Sequence, residues 1–251
     1  MKALSFTLSG KTAFFKKPDV NQYAYFTYNN IHKIALFGTL GAICGLGGYT
    51  QLHNINRGKK PNQLDYDTGY PEFYEKLRYL KVSIIPLSTN GYFSKKIQVF
   101  NNSVGYASKE EGGNLIVREQ WLENPRWNIM ILDDESEQYK CIKDFLFGSK
   151  SIFSPYLGKN DHPATIENIE EIVLGDATGY YVHSLFIKDS ETIDGFQPEG
   201  ELPYLFQEVS PYTLQKEYHF YEYETLIFTN MEVDTLPKDT YSYENRNYSF
   251  I

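Results

Sequence analysis

The chain has 251 residues and is 41% hydrophobic, enough to bury a core as one large domain, or one domain with a small appendage. Its net charge of −8 divides unevenly: residues 1–126 carry 16 lysines and arginines against 9 acids, or +7, and residues 127–251 carry 8 against 23, or −15. Two cysteines, Cys44 and Cys141, without Cys-x-x-Cys spacing suggest neither a disulfide framework nor a zinc site. The basic half predicts a polyanionic partner, whereas chance asymmetry on a solvated surface is the alternative.

The first predicted element is a strand over residues 3–8, which turn chemistry at Ser9-Gly10 ends. Because this strand pattern starts directly after Met1-Lys2, no secretory signal is expected. Cations and aromatic rings alternate in the loop that follows. Cations attract phosphates and rings stack on unpaired bases, so the loop predicts a single-stranded nucleic-acid surface. These loop residues are Lys11, Lys16, Lys17, Tyr23, Tyr25, Phe26 and Tyr28.

Asn29-Asn30 is predicted to cap a helix from Ile31 to about Gly45, with His32 and Lys33 in its first turn. Lysine there opposes the helix dipole, which indicates either contact with an anion or a long side chain reaching the surface. The apolar stretch over residues 34–46 is too short to span a bilayer, so a cytoplasmic protein without membrane contact is expected. Residues 49–71, which include the basic run at 57–61, lack an apolar period and predict a basic loop.

A short helix beginning at Pro71 and a strand over residues 82–87 come next. Two strands, residues 92–107 and 114–122, are predicted to form a projecting hairpin joined at Gly112-Gly113. Then come a buried strand over residues 127–132, an amphipathic helix over 135–147, a turn-rich segment over 154–163 and a strand over 170–174.

This order predicts an α+β fold, a ferredoxin-like or RRM domain with an inserted β-hairpin. We expect residues 1–176 to form this domain, with the hairpin at about 88–126. Residues 177–251 are expected to form a small β-rich domain.

Several catalytic sites are excluded by pattern. The Gly45-Leu46-Gly47-Gly48 cluster follows a helix and lacks a Lys-Ser or Lys-Thr pair, so it is neither a P-loop nor a dinucleotide fingerprint. The acids of residues 133–135 suit a helix start, and Glu167, Glu170 and Glu171 suit a solvated strand edge. The histidines are scattered without metal-ligand spacing, so neither a metal nor a cofactor is expected: His32, His53, His162, His183 and His219.

Two segments carry a family resemblance. Residues 8–18, Leu-Ser-Gly-Lys-Thr-Ala-Phe-Phe-Lys-Lys-Pro, followed by residues 30–33 and the glycine-containing helix, resemble the amino terminus of the CRISPR-associated protein five family. Residues 156–160, Tyr-Leu-Gly-Lys-Asn, with Pro163, resemble the turn before that family's last core strand. The sequence of the first fifty residues is most similar to the type I-B branch, although residues 25–29 replace a proline-rich stretch found in many relatives.

The resemblance implies a noncatalytic RNA-binding (RAMP) subunit of a type I Cascade complex for antiviral defence. Such a subunit grips the 5′ handle of the CRISPR RNA (crRNA), seats against backbone and large subunits, and lies near target DNA beside the protospacer-adjacent motif. Its hairpin is a thumb that kinks the RNA. Mapped onto this sequence, the implied RNA-binding residues are Lys11, Lys16, Lys17, Tyr28, His32, Lys33, Lys95, Lys96, Tyr156, Gly158 and Lys159.

Two alternatives remain. One branch of the same family is thought to cut repeat RNA without a metal, and His32 beside Lys33, with Tyr28 nearby, is the compact candidate for that chemistry. The other is a protein-interaction module whose acidic, tyrosine-rich second half docks a basic partner.

Overall fold

The computed structural model describes residues 1–19, 23–57, 69–101, 109, 111, 115–188 and 200–251. Its helices are α1 (Lys33–Cys44), α2 (Tyr49–Asn56), α3 (Glu72–Leu77) and α4 (Glu137–Phe147). Its strands are β1 (Lys2–Ser9), β2 (Thr12–Ala13), β3 (Val82–Pro86), β4 (Lys95–Asn101), β5 (Ile116–Glu123), β6 (Arg126–Leu132), β7 (Thr165–Val173), β8 (Gly175–Asp176), β9 (Phe186–Ile187), β10 (Leu205–Leu214), β11 (Tyr221–Thr229), β12 (Thr240–Tyr243) and β13 (Arg246–Ser249).

A four-stranded antiparallel sheet with the order β3-β6-β1-β7 forms the centre. Helix α1 lies between β1 and β3 along the chain, and α4 lies between β6 and β7. This is the ferredoxin-like order, and it confirms the predicted α+β class. Alternate residues Leu4, Phe6 and Leu8 of β1 are buried in the same core as Leu36 and Leu40 of α1. Each such side chain contributes about 1.5–3 kcal/mol on burial.

Strands β4 and β5 form the inserted hairpin, which pairs Lys95 with Leu122 and Asn101 with Ile116. Strand β5 also pairs with β2, and Tyr25 bridges to Glu119 beside it. The base of the hairpin is therefore fixed to the amino-terminal loop. The predicted turn at Gly112-Gly113 lies outside the described residues.

The second half adds two small sheets, with the orders β10-β11-β9 and β13-β12-β8. Leu214, Leu226 and Phe228 of the first sheet are buried in the main core together with α1. The predicted boundary between residues 176 and 177 stays a prediction.

Residues 49–56 correct the sequence analysis, which predicted a loop over 49–71. They form α2, whose N-cap is Gly48, and the Gly48 N–H donates to Gln51 Oε1 at 3.0 Å. Every residue of α2 is at least partly exposed, so the helix has no buried apolar stripe to produce a period. A local cap, rather than packing of an apolar face, marks where it begins.

The cap of α1 also differs from the prediction. His32, not Asn29-Asn30, is the N-cap, and its Nδ1 accepts the N–H of Ala35 at 3.2 Å. Gly45 ends α1 in the left-handed conformation at φ +76°. None of the helices in the described parts of the chain combines the length and apolar character needed to cross a bilayer. Cys44 and Cys141 are free and half-buried.

Candidate nucleic-acid interface

The first wall of the candidate site is a two-stranded segment formed by residues 14–17 and 25–28. Lys17 N–H donates to Phe26 O at 2.8 Å, and Tyr28 N–H donates to Phe15 O at 2.9 Å. Phe15 faces the core, whereas Lys16 is exposed because neighbouring residues of an extended chain point to opposite sides. The Lys16 ammonium lies 3.8 Å from the centroid of the Tyr25 ring. This wall therefore presents a cation held over an aromatic face.

The second wall is the turn over residues 156–159. Phe14 N–H donates to Leu157 O at 3.1 Å, which joins the turn to the first wall. Gly158 has φ +88°, and a Cβ at this position would lie 1.9 Å from Phe14 O. Glycine alone combines this conformation with so close an approach. The glycine of the Tyr-Leu-Gly motif thus sets the spacing between the walls.

An open groove of about 950 Å³ lies between these walls and helices α1 and α2. Ala35, Gly38 and Ala42 of α1 contribute to its lining, and a Cβ built on Gly38 would meet nothing within 4 Å. Small side chains on one helix face leave room for a flat ring to enter. The predicted RNA-binding residues that line the groove are Lys16, His32, Tyr156, Gly158 and Lys159. Lining residues that the sequence analysis missed include Glu119, Tyr49, Phe153 and Tyr221.

Three predicted RNA-binding residues are buried: Tyr28, His32 and Lys33. Burial lowers the pKa of His32 to about 3, so the imidazole is neutral at pH 7. Burial, and then Lys81, lower the pKa of Lys33 to about 8, and its ammonium lies 4.5 Å from the centroid of the Tyr212 ring. Burial raises the pKa of Tyr28, reinforced by a hydrogen bond with Tyr223. Lys33 is therefore an interior residue, which corrects both surface interpretations made from the sequence.

Lys159 lines the groove and is partly exposed, but its ammonium is paired with acidic side chains. Its ammonium donates to both oxygens of Glu119, at 3.0 and 3.1 Å, and lies 3.6 Å from Asp161. Glu119 is 6% exposed and also accepts the Trp121 Nε1–H at 2.9 Å. The Lys159–Glu119 ion pair therefore links the turn over residues 156–159 to β5, and it leaves little free positive charge at Lys159.

The remaining predicted cations differ in whether an acidic side chain lies close to them. Lys17 lies 3.9 Å from Glu208, and Lys96 lies 3.6 Å from Glu123. Lys11 and Lys16, by contrast, have no acidic side chain within 4.0 Å among the described residues. Lys11 and Lys16 are thus both exposed and without an acidic partner in the described parts of the chain, and Lys16 lines the groove whereas Lys11 does not. Lys95 is half-buried, and its ammonium lies 5.1 Å from the centroid of the Tyr92 ring.

His162 supports the turn from beneath. It is fully buried, its Nδ1 hydrogen bonds with Thr12 Oγ1 at 2.7 Å, and its ring stands edge-on to Trp121 at 4.6 Å. Burial, and then Lys159, lower the pKa of His162. The scattered spacing of the histidines predicted an isolated residue here, although His162 lies two residues after the Tyr-Leu-Gly-Lys-Asn motif that it supports.

Within the described ranges, no three His, Cys, Asp or Glu side chains are grouped so that they could hold a metal ion. His32 and Lys33, the candidate residues for RNA cleavage, are both engaged in contacts within the protein. His32 Nδ1 already serves as the cap of α1, and the Lys33 ammonium packs against aromatic rings inside the protein.

No protein-family model matches the chain, and no curated protein matches it. Among solved structures, the chain is similar to a CRISPR RNA-guided surveillance complex, with 12% identity, coverage of 93% of this chain and 92% of that chain, and a TM-score of 0.47. It is similar to a CRISPR protein from Archaeoglobus fulgidus, with 9% identity, 99% and 98% coverage, and a TM-score of 0.44. It is also similar to the type III-B Cmr-beta complex bound to cognate target RNA and AMPPnP, with 12% identity, 93% and 86% coverage, and a TM-score of 0.47. These neighbours are CRISPR-associated proteins of low identity, and none of the values identifies a family for this chain.

Proposed function

We propose that the groove binds single-stranded RNA, and that its ligand is the 5′ handle of a crRNA in a type I Cascade complex. The observation that supports this most is the convergence of two motifs far apart in sequence. Lys16 of the first motif and Tyr156, Gly158 and Lys159 of the second line the same groove.

The groove's chemistry suits an unpaired strand. Phosphates attract the exposed Lys16, and flat bases pack against rings and small apolar side chains. Tyr156 is 44% exposed and Tyr25 is 36% exposed, so both offer ring surface without unfolding. Lys11 is exposed on the loop between β1 and β2, outside the groove lining, and is a further candidate for phosphate contact.

We further propose that the protein does not cleave the RNA. Attack by a 2′-hydroxyl requires a base that reaches it and a cation that stabilises the developing charge. His32 is 4% exposed and occupied as a helix cap, and Lys33 is 7% exposed. His32 lines the groove with very little exposed surface and with its Nδ1 in use, and Lys33 is buried, so neither side chain is placed to act on a 2′-hydroxyl.

The proposed partners are the backbone and large subunits of the complex, with target DNA near the protospacer-adjacent motif. The β4–β5 hairpin carries exposed apolar side chains at Ile97, Val99 and Ile116, each more than half exposed. An apolar face on a projecting hairpin suits burial against another subunit.

The first test is a titration of end-labelled RNA that carries the repeat-derived 5′ handle, beside RNA with a scrambled handle, in the absence of metal. The parent is compared with Lys16→Glu and with Lys140→Glu, which reverses an exposed lysine outside the groove lining. We expect the parent and Lys140→Glu to prefer the handle and Lys16→Glu to bind it more weakly. The same samples on a denaturing gel are expected to contain intact RNA.

Equal binding of the handle and the scrambled RNA would contradict handle recognition. Equal weakening by Lys16→Glu and Lys140→Glu would contradict the groove as its location. A discrete cleavage product that forms with the parent but not with His32→Ala would contradict the proposal and support the ribonuclease alternative.

A further inference from the structure

The carboxylate of Glu208 in β10 contacts a distant part of the chain. It occupies a position, here called the seat, that is formed by the backbone amides of Asn29 and Asn30. The carboxylate accepts the Asn29 N–H at both oxygens, at 2.9 and 3.0 Å, and the Asn30 N–H at 3.4 Å. The Glu208 side chain is only 11% exposed. A carboxylate from the acidic half thus takes the place of solvent at two successive backbone amides of the basic half.

A lysine from the predicted RNA surface faces the same carboxylate. The Lys17 ammonium lies 3.9 Å from Glu208 Oε1. Burial lowers the pKa of Lys95, while the nearby Glu208 charge acts in the opposite direction. One negative charge therefore faces one ammonium group and two amide donors. Oriented amides with adjacent cations are the groups that bind phosphate oxygens in proteins.

The amide donors are held independently of Glu208. The side-chain amides of Asn29 and Asn30 both donate to Gly91 O, at 2.9 and 3.2 Å. Asn30 Oδ1 also accepts the Trp127 Nε1–H at 2.9 Å. The geometry of the seat therefore persists when its carboxylate is removed.

We propose that this seat is a phosphate-oxyanion site, which Glu208 fills in the free protein and for which an RNA phosphodiester competes. Carboxylate and phosphate oxygens accept from the same donors, and the Lys17 ammonium beside the seat attracts either anion. Glu208 is then an internal competitor that weakens RNA binding. The RNA step rests on the proposed function, whereas the oxyanion site does not.

Thermal unfolding with sulfate as the probe tests the site without RNA. Glu208→Ala empties the seat, and Glu224→Ala removes an exposed carboxylate from the neighbouring strand β11 as a control. Sulfate stabilises folded proteins in general, so the quantity measured is the Tm rise over chloride at equal ionic strength, relative to the parent. We expect Glu208→Ala to gain about 2–4 °C more than the parent and the control. Equal gains in all three proteins would overturn the proposal.

RNA binding to Glu208→Gln tests the competition. Glutamine keeps the shape and an oxygen acceptor for Asn29 but removes the charge. We expect tighter binding and a log-log salt slope steeper by about 0.7, the value of one added phosphate contact on a single strand. An unchanged slope would overturn the competition.

The two tests separate the two proposals. Sulfate-specific stabilisation of Glu208→Ala without RNA binding by any variant would reject the RNA function and keep the oxyanion site. If Glu208→Ala does not fold, the sulfate comparison with Glu208→Gln replaces it, because a neutral amide competes with sulfate less than a carboxylate does. No excess gain in Glu208→Gln would then overturn the proposal.

Discussion

Lys16 and Lys159 line opposite walls of one groove, but their surroundings differ. Lys16 lies over the Tyr25 ring and has no acid within 4.0 Å among the described residues. Lys159 is bound to the buried Glu119 and lies near Asp161. The first wall therefore carries a charge available to a ligand, and the second carries a charge already used in folding. A count of lysines near a groove does not measure its capacity for phosphate.

The largest expected effect breaks the second wall itself. In Gly158→Ala, the new Cβ meets Phe14 O and the residue keeps an unfavourable φ of +88°. We expect the free energy of unfolding to fall by at least about 3 kcal/mol, measured by urea denaturation. Gly179→Ala is the matched control, because its φ is +76° but nothing lies within 4 Å of the added atom. The control is expected to lose only about 1 kcal/mol, and equal losses would mean that the close approach is unimportant.

A second effect comes from His32, which lines the groove and is neutral at pH 7. Its folded pKa of about 3 lies below its ordinary value of 6.5, so its contribution to stability is present above pH 6.5 and is lost as pH falls toward 3. At pH 5 this loss is about 2 kcal/mol. Urea unfolding at pH 7 and pH 5 measures it.

His32→Asn is the control for that measurement, because asparagine keeps an N-cap acceptor without titrating in this range. We expect its loss between pH 7 and pH 5 to be smaller than the parent's by about 2 kcal/mol. The other histidines remain in both proteins and cancel in the difference. An identical loss in both proteins would contradict a neutral, buried His32.

The central sheet was predictable from sequence because its information is local. Alternation in β1 and the apolar run of β6 each specify a strand, and the order of strands and helices then favours the ferredoxin-like topology. Helix α2 was missed for the opposite reason. Its residues pack little, so its start depends on the Gly48 and Gln51 cap rather than on a period.

The site was only partly predictable because its charges are set by distant residues. Lys33 is covered by Tyr212, Lys159 is paired with Glu119, and Lys17 lies near Glu208. Each partner comes from a distant segment of the chain, so no local sequence pattern predicts the contact. The motifs located the groove, but only the tertiary contacts separate its free cations from its neutralised ones.

Lys159→Met sharpens the comparison by removing the paired charge. The buried Glu119 would keep the Trp121 hydrogen bond but lose its counter-ion. We expect a loss of about 1–2 kcal/mol in the free energy of unfolding, because the remaining carboxylate is poorly solvated. Restoration of the parent's stability in Lys159→Met with Glu119→Gln would support this cause. An unchanged stability in the single variant would contradict it.

The smallest expected change in stability belongs to Lys16→Met. An exposed cation over a ring contributes about 0.5–1 kcal/mol at most, so unfolding should barely change. RNA binding, unlike stability, is expected to depend more on Lys16 than on Lys159. We expect the log-log salt slope to fall by about 0.7 for Lys16→Met, one phosphate contact on a single strand, and to stay at the parent's value for Lys159→Met. Equal slopes in the two variants would mean that RNA frees Lys159 from Glu119, and that the two walls contribute equal charge when the groove is occupied.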